Sequence, residues 1–128
     1  MDFSLSTEHE ILRKSVKNFA EKEIKPVARE LDEREEFSYD TMKAMAELGL
    51  FGVFVSEEYE GQGMDFVSYI IAIEEIARVD GSHAATIAVG NSLGIGPIYY
   101  YLLVPFYYLT SFDPVGGVIM ITLSLIHI

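Results

Sequence analysis

Apolar residues recur along most of the chain at spacings of three to five, the period of a helix rather than the alternation of a strand. Leu12, Val16, Phe19, Ala20, Ile24, Val27 and Leu31 form one such stripe, with Arg13, Lys14, Lys17, Glu21 and Lys22 on the remaining surface. Thr7-Glu8-His9-Glu10 has capping-box form and opens this first helix. Pro26 lies inside the stripe; it lacks a backbone donor and disfavours helical geometry at Lys25, so a kink or break is expected there. A second helix starts after Ser38, runs through Met42, Met45 and Leu48, and stops at Gly49. Leu50 to Met64 carries Gly61 and Gly63 among acidic residues and reads as an ordered loop. Asp65 caps a third helix with apolar positions Phe66, Tyr69, Ile70, Ile73, Ile76 and Ala77. Asp80-Gly81-Ser82 ends it and offers the next cap. A fourth helix of small and aliphatic residues runs from about His83 to Leu93. The prediction is an all-α bundle of about four helices.

Composition narrows the function classes. The 128 residues make one domain, and 20 acidic against 9 basic residues give a formal net charge of −11. That charge excludes a nucleic-acid partner and disfavours an anionic membrane surface. Cysteine is absent, so disulfides and thiolate sites are excluded. The N-terminus has no secretory pattern, and a cytoplasmic location is expected.

Charge is distributed unevenly: beyond Asp80 only Asp113 is charged. The chain therefore divides into a helical domain over residues 1–100 and a hydrophobic tail over 101–128. The apolar run Ile98 to Leu109 is cut by Pro105, and Val115 to Ile128 contains Gly116-Gly117. Both fall short of the roughly 20 apolar residues of a spanning helix, so a membrane span is not expected. The tail reads as the product of a truncation, frame change or junction rather than native domain sequence, with an aggregation-prone end over 118–128.

Candidate chemistry is sparse. His9, His83 and His127 have no ligand spacing, so no metal site is predicted, and no Ser/His/Asp set suggests itself. Glu74-Glu75, adjacent on a helix, project differently; the pair reads as a solvated face rather than a carboxylate dyad. Asp32 to Glu36 reads as a solvated helix end and loop, and Met42 and Met45 as core filler. The glycine pair at 61 and 63 has no basic neighbour and is a weak phosphate loop. Thr86, Val89, Gly90 and Leu93 stand at i, i+3, i+4 and i+7 on one uncharged helix face, suited either to a greasy cavity or to close helix packing.

Several stretches resemble the N-terminal helical domain of the acyl-CoA dehydrogenases. They are Met1-Asp2-Phe3 with Leu5-Ser6, Phe19-Ala20 with Ile24-Lys25-Pro26-Val27-Ala28, Ala46-Glu47-Leu48-Gly49-Leu50, Val55 to Asp65, Glu74-Glu75-Ile76-Ala77, and Gly90-Asn91-Ser92-Leu93-Gly94. Six pieces in order over residues 1–100 make a specific signal. The chain departs at Glu60, where the family usually has glycine, and at Ser38, where proline is common; after Tyr101 the resemblance stops.

The resemblance implies an FAD-dependent oxidoreductase that converts an acyl-CoA thioester to the 2,3-enoyl-CoA, usually as a homo-oligomer. Its catalytic base lies in a later helical domain, so no catalytic residue is expected here, and most of the FAD grip lies outside this stretch. The resemblance makes Thr86, Val89, Gly90 and Leu93 a wall of the acyl pocket. Two alternatives are a separate helical binding or membrane-tethered module, and another flavoenzyme such as an acyl-CoA oxidase.

Overall fold

Ser6 begins the first helix, one residue before the sequence pattern places it. Helix α1 spans Thr7–Phe19; the Ser6 hydroxyl accepts from the His9 amide at 3.2 Å, and the Ser6 amide donates to His9 Nδ1 at 3.4 Å. An imidazole thus fills the reciprocal half of the capping box, in place of the expected Glu10. A computed structural model describes residues 4–103. The expectations for the tail beyond residue 103 lie outside the described residues.

Pro26 does not break the helix. A proline cannot donate to the carbonyl four residues back, and its ring crowds that carbonyl. The chain answers with a π-helical turn over Ala20–Ile24, in which the Lys25 amide bonds five residues back to the Ala20 carbonyl. Helix α2, Lys25–Arg34, continues directly from it and ends with Glu35 in the left-handed region at φ +55°. The Ser38 hydroxyl accepts from the Thr41 amide to start α3, Tyr39–Glu47. Gly49, at φ +78°, ends α3: its amide bonds to Ala46 and that of Leu50 to Met45, as in a Schellman turn.

The loop from Leu50 to Met64 is ordered by its own backbone. The Gly52 carbonyl takes the amides of Val55 and Gln62, Val55 takes Gly63 at 2.7 Å, and Val53 takes Met64 at 2.9 Å. A side chain at Gly61 would run into the Val55 carbonyl. Glu60 sits at φ +61°. That left-handed backbone explains why glycine suits the position and why glutamate is strained there.

Helix α4, Phe66–Ala77, starts at Asp65, whose Oδ1 accepts from the Ser68 amide at 2.8 Å; α5, Gly81–Val89, starts at Asp80. Helix α4 packs against both α1 and α5. Their shared core holds Val16, Ala20 and Ile24, then Met45, Leu50 and Val53, then Ala72, Ile76 and Ile87. Each fully buried Ile, Leu, Val or Met contributes roughly 1.5–3 kcal/mol. The predicted stripe on α4 splits: Ile76 is buried, while Phe66 and Ile70 are more than half exposed. Taking α1, its π turn and α2 as one run, residues up to 91 hold four α-helical runs, a 3₁₀ turn over Glu57–Tyr59 and no strand among the described residues. The chain divides after Asn91, and in the second unit a π-helical turn spans Ile98–Leu103.

Two polar ties join these helices. His9 Nε2 lies 3.1 Å from both carboxylate oxygens of Asp65, so with Nδ1 accepting from Ser6 its Nε2–H donates to the cap of α4. Glu75, read as solvated from sequence, is 4 % exposed. It lies between Arg13 Nε at 3.5 Å and Arg78 Nε at 3.4 Å, while Glu74 pairs with the same two arginines. The pattern on α4 alone does not reveal this, because Arg13 comes from α1, some 60 positions away.

Two outcomes follow. Hydrogen bonds from Ser68 and then His9 hold the Asp65 carboxyl at about 2, below its ordinary 3.8. A depressed carboxylate contributes stability that is complete above pH 4 and is lost as pH falls towards 2. Asp65 is largely exposed, so screening reduces the effect. The Asp65→Asn variant is expected to lose less melting temperature than the parent between pH 4 and 2, by thermal circular dichroism; superimposable acid limbs would contradict it. Glu60→Gly is expected to stabilise by about 0.5–1 kcal/mol, a few degrees in melting temperature, whereas Glu60→Ala gives no such gain.

Candidate functional site

Helix α5 is short, uncharged and anchored at both ends by polar side chains. At its start the Asp80 Oδ2 accepts from the His83 amide at 2.8 Å, from the Ser82 hydroxyl at 2.5 Å and from His83 Nδ1 at 2.6 Å. Burial raises the Asp80 carboxyl pKa, but the hydrogen bonds from Ser82 and His83 outweigh it, and the net shift is downward. His83 Nε2 lies 2.8 Å from the Thr41 hydroxyl of α3. With Nδ1–H donating to Asp80, Nε2 accepts from that hydroxyl.

Asp80, His83 and Thr41 therefore form an acid–imidazole–hydroxyl row that the sequence reading did not find. His83 and Thr41 are both buried. The Asp-x-x-His spacing at a helix start was the available signal; Thr41 is about 40 positions away. The geometry resembles a nucleophilic triad, but the hydroxyl is enclosed, so the row serves to fasten α3 to α5. A cavity of about 210 Å³ adjoins it, lined in part by Leu31, Phe37, Met42, His83 and Thr86.

The other end of α5 is held by Asn91, which has no exposed surface. Its Oδ1 accepts from the Gly52 amide at 2.7 Å, and its Nδ2 donates to the carbonyls of Leu50 at 2.8 Å and Ile87 at 3.0 Å. One amide side chain thus brackets residue 51 on both sides.

The four predicted pocket residues fare differently. Thr86 is half-buried, and its hydroxyl donates to the Ser82 carbonyl at 2.9 Å. Val89 is 53 % exposed. Gly90 follows the last residue of α5, and a Cβ added there would stand 2.8 Å from Phe51 Cε1. Leu93 belongs to the second unit and is exposed. The fourth helix was expected to run to Leu93; α5 ends at Val89, and Gly90–Ile95 is a π-helical turn. The i+7 spacing that placed Leu93 with the other three assumes α geometry, which stops before it.

A larger groove of about 750 Å³ lies between α1 and the loop that precedes α4; Ile11, Leu12, Leu48 and Met64 line it, with Glu8, Glu57 and Asp65 among them. His9, which also lines it, is committed to Asp65. No group of three or more His, Cys, Asp or Glu suited to a metal ion occurs among the described residues. Glu75, the one buried carboxylate among them, is paired with Arg13 and Arg78 and is no free base. Nor does the stretch from Leu50 to Met64 offer a flavin dinucleotide a seat for its phosphates. The glycine loop is closed on its own hydrogen bonds, with Glu57, Glu58 and Glu60 along it and no cation to meet a pyrophosphate. No helix among the described residues is long and apolar enough to cross a membrane.

These features describe an all-α domain whose polar side chains fasten its helices to one another. Residues 6–102 match the acyl-CoA dehydrogenase N-terminal domain, and the chain belongs to that family. It is 45% identical over 101 residues to a probable acyl-CoA dehydrogenase of Bacillus subtilis, covering 79% of this chain and 27% of that one. It is 44% identical over 93 residues to the short-chain specific acyl-CoA dehydrogenase of Clostridium acetobutylicum, covering 73% of this chain and 24% of the relative. The solved butyryl-CoA dehydrogenase of Megasphaera elsdenii superposes with a TM-score of 0.73 at 32% identity, over 77% of this chain and 27% of that one. The chain thus spans about a quarter of the length of these relatives.

The Asn91 clamp has a measurable cost of removal. Asn91→Ala strands the Gly52 amide and the Leu50 carbonyl in the interior, while the Ile87 carbonyl keeps the Gly90 amide, and is expected to destabilise by roughly 3 kcal/mol. Thr41→Val, which removes one hydroxyl, is expected to cost about 1 kcal/mol. Urea unfolding of the two variants checks the order.

Proposed function

We propose that this chain acts as the N-terminal domain of an FAD-dependent acyl-CoA dehydrogenase, with Thr86 and Val89 of α5 and Gly90 just past its end forming a wall of the acyl pocket. The observation that carries this reading is Val89. It is an apolar side chain left 53 % exposed on a helix with no charged residue, in a chain that shares its fold with a butyryl-CoA dehydrogenase. An aliphatic wall of this kind binds by excluding water from an alkyl chain. The flavin would supply the redox chemistry in the intact enzyme. General-base catalysis needs an acceptor within reach of the substrate carbon. The one buried carboxylate among the described residues is ion-paired, so on this reading the chain supplies the wall and not the base.

The test places residues 6–102 of this chain in the butyryl-CoA dehydrogenase of Megasphaera elsdenii, in exchange for the matching stretch. Val89→Trp in that chimera is expected to cut kcat/KM for hexanoyl-CoA about tenfold more than for butyryl-CoA, the scale of one or two methylenes in an apolar pocket. The 128-residue chain with added FAD is expected to reduce no dye acceptor. An unchanged chain-length profile in the Val89 variant removes the pocket reading.

A further inference from the structure

The space that a side chain at position 90 would fill is already taken. A Cβ on Gly90 would stand 2.8 Å from Phe51 Cε1 and 3.0 Å from Cδ1, closer than side chains pack. Gly90 lies four residues after Thr86, on the same flank of α5. The ring that meets this flank comes from the loop after α3, not from α5 itself. Its seat is fixed by backbone. Leu50 gives its carbonyl and Gly52 its amide to the Asn91 side chain, at 2.8 and 2.7 Å, and Gly52 at φ +95° turns the chain away after residue 51. Phe51 is half-buried: it packs against the core cluster and meets the Gly90 backbone.

We propose that Phe51 is a specificity-determining residue for the acyl chain: it stands where α5 has no side chain at Gly90 and limits how long a chain the Thr86–Val89–Gly90 wall admits. This rests on the reading that the wall borders the acyl group. Glycine at 90 and asparagine at 91 then act as a pair. The first makes room for the ring at the helix surface, and the second holds the two peptide groups that aim it. A ring held by backbone hydrogen bonds gives a firmer stop than a long side chain projecting from the helix, because the loop fixes its position as well as its rotamer.

The chimera described above gives the test, read as the ratio of kcat/KM for octanoyl-CoA to that for butyryl-CoA. Phe51→Ala is expected to raise this ratio about tenfold or more, and Phe51→Leu to raise it by a smaller factor, as methylene-scale space is opened. Were Phe51 only core packing, both variants would lower the two rates together and leave the ratio unchanged; that result overturns the proposal. If Phe51→Ala does not fold, Phe51→Leu decides alone, a raised ratio supporting the proposal and an unchanged one overturning it. Val89→Trp separates the two levels. A shifted profile there with an inert Phe51 refutes the proposal and leaves the wall standing. No shift in either refutes both.

Discussion

A helix start leaves backbone amides without partners, and this fold depends on how four side chains satisfy them. Ser6, Ser38, Asp65 and Asp80 each accept from the amide three residues on. Two of the four do a second job. Asp65 also receives His9 from the capping box of α1, and Asp80 also receives the ring of His83, whose far nitrogen reaches α3. The caps therefore set the helix ends locally and fasten the helices to one another. A core built of Val16, Ile24, Ile76 and Ile87 supplies most of the apolar burial but little register; the caps supply register.

That arrangement keeps charge away from one end of the domain. Arg13, Glu74, Glu75 and Arg78 concentrate their pairing where α1 meets α4. Helix α5 carries no charged residue between its Asp80 cap and Val89. A surface that lacks ionised groups does not pay a desolvation cost when an apolar group covers it. The proposed acyl wall on α5 rests on this separation of the charged seam from α5.

Much of this was legible in the sequence because it is local. The caps at Ser38, Asp65 and Asp80 and the glycine stop at Gly49 involve residues at most five apart, and the four helical runs follow from one period. Ser6 was missed by one position because Thr7 offered an equally good hydroxyl and Glu10 a better partner on paper than His9. Pro26 was legible as a disturbance but not as a π turn, since widening and breaking both relieve the same clash. The end of α geometry after Val89 was not legible, because it carries no marker in residue type. What the sequence hid is long-range: Glu75 buried by an arginine from α1, Thr41 meeting His83, and Asn91 reaching back to Leu50 and Gly52. Each looks like an ordinary polar residue until its distant partner is known.

The Thr41 hydroxyl has two acceptors in reach, His83 Nε2 at 2.8 Å and the Ser38 carbonyl at 3.3 Å. A hydroxyl donates one proton and rotates freely to choose where. With Nδ1–H committed to Asp80, the ring takes the hydroxyl's proton at Nε2, and the Ser38 carbonyl stands as a second acceptor within reach. A rotor set between an imidazole and a backbone carbonyl thus behaves as a swivel: the link from α3 to α5 can tilt while the buried hydroxyl keeps a partner.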